Sequence, residues 1–185
     1  MQGSMKKIIA GTALLILPMT AMAATQGPTS PWYGGATIGI ASLSGFSSPV
    51  DFTIFGGYRL PVHLSRGKLA VELGYDHMGT FKMNNLPAGE SVSLSAHAVE
   101  ASAVYAWPIT SAFRVYGRAG LAFWNASATA NASGYTASAA GSGTDPLFGV
   151  GVSYSVMSHL SVRGEYRIIT SSNINIFDVG GVYSF

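Results

Sequence analysis

The chain has 185 residues, of which 48% are hydrophobic and only 10% are charged, and it contains 23 glycines and no cysteine. A soluble globular domain carries about 25% charged residues, so this chain has too little charge to cover a surface that faces water. Its apolar and aromatic content excludes a disordered chain. The missing cysteines exclude disulfide bridges and thiolate sites, and the length indicates one domain.

The N-terminus has the features of a secretory signal peptide. A basic start, Met5-Lys6-Lys7, precedes the apolar run 8–20, and Ala21-Met22-Ala23 fits the small-x-small cleavage rule. We predict that residues 1–23 comprise a cloning remnant or misassigned start (residues 1–4) and a cleaved signal peptide, and that residues 24–185 form the mature domain. The alternative is an uncleaved membrane anchor, but the run is short for a span of about 20 residues.

Removal of the signal peptide changes the charge of the protein. The formal net charge of +2 comes from Lys6 and Lys7, and the predicted mature chain has eight basic and eight acidic residues. It has no basic stripe that would bind nucleic acid. Because the sequence contains no metal-ligand cluster, phosphate loop or nucleotide motif, we predict no metal and no cofactor.

The residues from Pro31 onward alternate between apolar and polar in segments of about ten, separated by turn residues, as in membrane-spanning β-barrels. The predicted strands comprise residues 32–41, 51–60, 68–78, 92–107, 113–127, 145–156, 160–170 and 173–185. The connections after the second, fourth and sixth strands are short. On the other side lie 42–50, 79–91, 128–144 and a tight connection near Ser171-Ser172, and two of these four are long. The predicted fold class is all-β, an eight-stranded antiparallel transmembrane β-barrel with short periplasmic turns and longer extracellular loops.

The charged strands show the alternation most directly. In the seventh strand, Val162 and Tyr166 share one face, whereas Arg163 and Glu165 share the other. A soluble β-sandwich fits the same pattern, but the polar face carries too little charge for a solvent-facing surface. Aromatic residues also stand near the strand ends, as in the girdle of a membrane barrel: Trp32, Tyr33, Tyr58, Tyr105, Trp107, Phe113, Tyr183 and Phe185.

The charged residues of the predicted inward faces should meet in the lumen. They are Arg59, Glu72, Glu100, Arg114, Arg118, Arg163, Glu165 and Arg167. The interior of an eight-stranded barrel is just wide enough for side chains, and buried charges need partners to offset their desolvation. We predict a paired network that closes the barrel, with an excess of arginine that would admit anions or water. The alternative is a gate or an ion path.

The sequence resembles the OmpA-type transmembrane domain and the related small surface barrels of the OmpX/Ail-like and opacity-like types. The resemblance covers essentially all of the mature chain and rests on segments 149–154, 160–167 and 179–185. The last segment alternates apolar residues and ends in Phe, like a barrel-assembly signal, with Val179, Tyr183 and Phe185 as its apolar positions. Because the sequence stops at the barrel, tethering to the cell wall by a peptidoglycan-binding domain is not expected.

The resemblance implies a location in the bacterial outer membrane, among lipid and lipopolysaccharide. It also implies that periplasmic chaperones and the barrel-assembly machinery handle the chain during biogenesis. The function expected from it is structural or surface-interacting, in adhesion or envelope integrity. A host or envelope ligand would bind the extracellular loops, and the best candidate is the 79–91 connection, with Phe81, Lys82, Met83, Asn85, Leu86 and Glu90.

Two other functions stay open. The first is a narrow pore for small solutes or ions. The second is a lipid A-modifying barrel enzyme, which would need a histidine beside a serine and ideally a carboxylate. His77 and His97 lie towards the outer strand ends, with Asp76 and Ser95 nearby. We interpret both as interface histidines, and we predict no catalytic residue.

Overall fold

A computed structural model describes residues 30–87, 90–132 and 135–185, so the predicted signal peptide lies outside the described residues. Each strand pairs antiparallel with its neighbours in sequence, and β8 pairs with β1 to close the barrel. This confirms the predicted fold class. None of the described residues forms a helix long and apolar enough to cross a membrane. The strands are β1 (Trp32–Ser42), β2 (Val50–Leu64), β3 (Gly67–Lys82), β4 (Ser91–Pro108), β5 (Phe113–Ala132), β6 (Tyr135–Ser155), β7 (Leu160–Ile169) and β8 (Ile174–Ser184).

Alternate residues of each strand point to opposite sides of the barrel wall. The outer surface is apolar: Leu73, Val150 and Phe177 are all at least 60% exposed. Exposed apolar area on this scale would be unfavourable in water, at about 25 cal/mol per Å². It suits the hydrocarbon core of a membrane, which surrounds the outward face of such barrels.

The two ends of the barrel differ in the length of their connections. Both described chain ends and the short β2–β3, β4–β5 and β6–β7 turns lie at one end, which is the periplasmic end of an outer-membrane barrel. Aromatic side chains line this end, and the rings of Trp32 and Tyr58 pack edge to face with centroids 4.8 Å apart. Tyr33, predicted for the girdle, instead faces the lumen and is buried, because it alternates with Trp32 along β1.

The extracellular end is uneven, because β3 to β6 rise above the other four strands. Leu147 of β6 pairs with Ile169, the last residue of β7, whereas β5 and β6 stay paired up to Ala132 and Tyr135. Residues 128–132 and 135–144 therefore form a raised hairpin, and the loop predicted over 128–144 is wrong. Its alanine, serine, glycine and threonine residues carry no apolar-polar alternation, although their backbones pair as a sheet.

A β-bulge in β3 changes which side chains face the lumen. Gly79 has a φ of +72°, and the β3–β4 register shifts between His77 and Thr80. A positive φ favours glycine, and one extra residue in a strand moves all later side chains to the opposite face. Beyond the bulge β3 stays paired with β4 up to Lys82, past the predicted end at residue 78. Because of the bulge, the Phe81 side chain turns into the lumen.

Candidate functional site

Nine charged side chains from six strands meet in the middle of the lumen, and each is at most 7% exposed. We call this set the lumen cluster. Apolar side chains pack above it, towards the extracellular end, and aromatic and apolar side chains pack below it. The cluster comprises Asp51, Glu72, Asp76, Glu100, Arg118, Arg163, Glu165, Arg167 and Asp178.

The lower half of the lumen cluster is a ring of two arginines and two glutamates. Arg118 pairs with Glu72 and, through Nε, lies 3.1 Å from Glu165 Oε1. Arg163 pairs with Glu165 and, through Nη1, lies 3.0 Å from Glu72 Oε1. Each glutamate therefore contacts both arginines, and the ring alternates in sign, which is the arrangement that best offsets the desolvation of buried charges.

Aromatic residues hold this ring from below. The Tyr33 hydroxyl donates to Glu72 Oε1 at 2.7 Å, and the Tyr116 hydroxyl donates to Glu165 Oε2 at 3.1 Å. The Arg163 guanidinium lies 4.9 Å from the centroid of the Tyr116 ring, within the range of a cation–π contact. These contacts fix the orientation of both glutamates.

The upper half of the lumen cluster is organised around Arg167. Its Nη1 lies 2.7 Å from Glu100 Oε1, and its Nη2 lies 2.8 Å from Asp178 Oδ2. Longer contacts reach Asp76 at 3.2 Å and Asp51 at 3.4 Å. One guanidinium thus faces four carboxylates, and Glu100 also joins the two halves, since its Oε2 accepts from Arg118 at 3.2 Å.

The balance of charge in the cluster is the reverse of the sequence-based expectation. Three arginines face six carboxylates, whereas an arginine excess was expected. Sequence reasoning missed Asp51, Asp76 and Asp178, although each stands on the polar face of its strand. In the structure one oxygen of each of these three aspartates has no hydrogen-bond partner among the described residues.

The structure places two predicted members outside the cluster. Arg59 and Arg114 are half-buried at the periplasmic mouth, where they donate to Ser184 and Ser155 respectively. Arg114 stands four residues before Arg118 on β5, which separates them by about 13 Å along a strand. The side-chain alternation placed both arginines on the correct face. Ion pairing across the lumen also requires that two side chains lie at the same position along the barrel axis, and alternation does not give that position.

A glycine makes room for the cluster in the barrel wall. A Cβ atom at Gly149 would lie 2.6 Å from Glu165 Oε1 and 3.2 Å from Arg167 Cγ. Both distances are shorter than ordinary van der Waals contacts. The Gly-x-Gly segment of β6 therefore lets charged side chains from β7 pass against the backbone.

The predicted contact connection is only partly at the surface. Lys82, Met83, Asn85 and Glu90 are exposed and Leu86 is half-buried. Phe81 is fully buried among the apolar lumen residues, so its assignment as a contact residue is wrong. The Gly79 bulge described above causes the difference.

The two candidate histidines lie apart from Asp76, the carboxylate next to them in the sequence. His77 and His97 are cross-strand neighbours on the outer face of β3 and β4, and both are exposed. Asp76 points into the lumen, where it contacts Arg167, because successive residues of a strand face opposite sides. The carboxylate is therefore on the wrong side of the wall for either imidazole.

Sequence comparison identifies the family of the barrel. The family model of the OmpA-like transmembrane domain matches residues 29–178. The chain belongs to this family. Outer membrane protein A of Escherichia coli O157:H7 is 26% identical over 173 residues, covering 88% of this chain and 47% of that protein. This chain thus spans about half the length of the curated OmpA relatives it matches. As a member of the family, it is a barrel of the bacterial outer membrane.

Solved structures of small barrels share the fold. Ail, the attachment invasion locus protein of Yersinia pestis, has a TM-score of 0.55 at 15% identity, over 86% of this chain and all of that one. Neisserial surface protein A has a TM-score of 0.51 at 22% identity, over 84% of this chain and 98% of that one. At such identities the likeness shows the fold alone.

Proposed function

We propose that this OmpA-like barrel is a closed membrane anchor with a surface-interaction role, in adhesion or envelope integrity. The observation that carries the proposal is the raised hairpin. The β6 strand continues for ten residues above Asp145, which is about 33 Å of strand. A rigid barrel that lifts one hairpin above its rim presents it to partners, and exposed connections on rigid scaffolds are where recognition usually lies.

The surface chemistry of the extracellular end favours an uncharged partner. Lys82 is the only exposed basic side chain among the described residues of this end, and the hairpin consists of small and hydroxyl-bearing residues around Tyr135. Ail has been crystallised with the heparin analogue sucrose octasulfate. A sulfated polyanion needs several basic side chains, so this chain is better suited to a neutral surface.

Tyr135 is the best single residue with which to test the surface role. It is 84% exposed, and tyrosine is enriched among the residues that dominate binding energy. In an adhesion assay with cells that display the protein, Tyr135→Ser should reduce attachment to host cells about tenfold. Ser138→Ala on the same hairpin is the matched control and should attach normally. Unchanged attachment after deletion of the whole raised hairpin would contradict the proposal.

The second candidate function is a narrow pore. It requires an open lumen, whereas the proposed anchor has a closed one. The lumen cluster lies between a cavity of 360 Å³ at the extracellular end and one of 710 Å³ at the periplasmic end. Because the charges of the lumen cluster are ion-paired, we expect no steady single-channel steps in planar bilayers, with a porin as the positive control. Steady steps from the wild-type protein would favour the pore.

The remaining predicted properties belong to the same proposal. The barrel acts without catalysis, because Asp76 faces the lumen, away from His77 and His97 on the outer face. The segment with Val179, Tyr183 and Phe185 acts as the assembly signal. These three side chains are exposed on the lipid-facing side of β8, where the assembly machinery would contact them before the barrel closes.

A further inference from the structure

The periplasmic mouth of the barrel contains a cationic vestibule that the closed-anchor function does not use. Its volume is about 710 Å³. Four basic side chains line it, and its floor is the Arg163–Glu72 pair of the lumen cluster. The four basic residues are Arg59, Arg66, Lys68 and Arg114.

Two arginines of the vestibule, Arg59 and Arg114, have no acidic partner among the described residues. Each instead donates one hydrogen bond to a hydroxyl, Arg59 to Ser184 at 2.5 Å and Arg114 to Ser155 at 3.1 Å. A guanidinium has five N–H donors, so most of the donors of both arginines are free for a ligand.

The two arginines are also held in place. The Arg59 guanidinium lies 4.6 Å from the centroid of the Tyr33 ring, and Tyr33 is itself anchored on Glu72. Ser155, the partner of Arg114, is also 3.3 Å from Ser161 across the β6–β7 pair. Held donors lose less side-chain entropy on binding than free surface arginines do.

Charge is therefore divided along the barrel axis. Six of the eight acidic residues of the mature chain belong to the lumen cluster, whereas five of its eight basic residues line the vestibule, Arg163 of the floor included. Glu72 is the one carboxylate of the vestibule lining, and its oxygens already accept from arginines and Tyr33. An anion that enters from the periplasm meets positive charge that the protein does not neutralise.

We propose that this vestibule binds a phosphate-type oxyanion, with Arg59 and Arg114 as its principal donors and the serine hydroxyls beside them. Arginine forks match the oxygen geometry of phosphate. The same chemistry is offered by free phosphate in the periplasm and by the phosphate of a phospholipid headgroup in the inner leaflet.

The test is calorimetric titration of inorganic phosphate into the refolded barrel in micelles of an uncharged, phosphate-free detergent. We expect saturable binding, and we expect the double variant Arg59→Gln/Arg114→Gln to bind at least about tenfold more weakly. Lys82→Gln, at the opposite end, is the matched control and should bind as the wild type does. If the double variant fails to fold, Ser155→Ala/Ser184→Ala replaces it, with a smaller loss expected. Equal affinity in wild type and arginine variant, or equal affinity for chloride and phosphate, would overturn the proposal.

A second arm identifies the source of the phosphate group. The barrel is reconstituted in vesicles of a phosphate-free galactolipid and in vesicles of phosphatidylcholine, both without net charge, and phosphate affinity is measured in both. Weaker phosphate binding in the phosphatidylcholine vesicles indicates that a lipid headgroup occupies the vestibule. Equal affinity in the two preparations indicates that free phosphate is the ligand.

Discussion

Replacing Arg167 by methionine should destabilise the barrel by about 3–5 kcal/mol, the usual result of removing one partner from a buried ion pair. Arg167 is 1% exposed, and its guanidinium faces four carboxylates. Methionine fills a similar volume but brings no positive charge, so the four acidic groups repel one another in a buried site. Reversible urea unfolding in lipid vesicles would measure the loss.

Replacement of an acidic partner should have a much smaller effect. Asp51 makes the longest of the four contacts with Arg167, at 3.4 Å, and its second oxygen has no partner among the described residues. Asp51→Asn keeps the shape and removes one of the excess negative charges. We expect a change of about 1 kcal/mol or less, or a gain in stability. Equal losses for Arg167→Met and Asp51→Asn would show that the acidic excess has no energetic consequence.

The side-chain alternation was enough to predict the barrel wall. A period of two over segments such as 160–170 assigns each residue to lipid or lumen, and this assignment holds for Arg163, Glu165 and Arg167. Strand count and closure follow from the same pattern together with the turn residues. The sequence alone therefore predicts the six arginine and glutamate members of the lumen cluster.

The wrong predictions share one physical cause. Each depends on how a strand pairs with its neighbours, which the sequence of that strand alone does not show. The side of Phe81 depends on a bulge whose only sequence signal is Gly79, a residue that is common in this chain. The raised hairpin is stabilised by backbone pairing between β5 and β6, and small side chains report nothing of it. The height of Arg59 and Arg114 depends on stagger between strands, which sets how far along the axis each side chain lies.

The effects of replacing the two glutamates of the lower ring on the free energy of unfolding should be strongly coupled. Glu72 and Glu165 each contact both Arg118 and Arg163. After one glutamate is replaced by glutamine, each arginine still has the other, so a single replacement should cost less than the roughly 3–5 kcal/mol of a buried charge left without a partner. After both replacements Arg163 has no carboxylate left in the ring, because only Arg118 retains a contact with Glu100.

The double variant Glu72→Gln/Glu165→Gln should therefore lose more stability than the sum of the single variants, by about 0.5–3 kcal/mol, as residues in one network do. Urea unfolding of the four proteins of this cycle measures the coupling, and the gel shift between folded and heated protein verifies that each variant folds. Glu90→Gln, at an exposed position, is the control and should change stability by about 0.5 kcal/mol or less. Additive losses would mean that each glutamate acts alone, and unchanged unfolding in both single variants would mean that the ring does not stabilise the barrel. A coupled loss would identify the ring as the element that joins β3, β5 and β7 across the lumen, where no backbone hydrogen bond can reach.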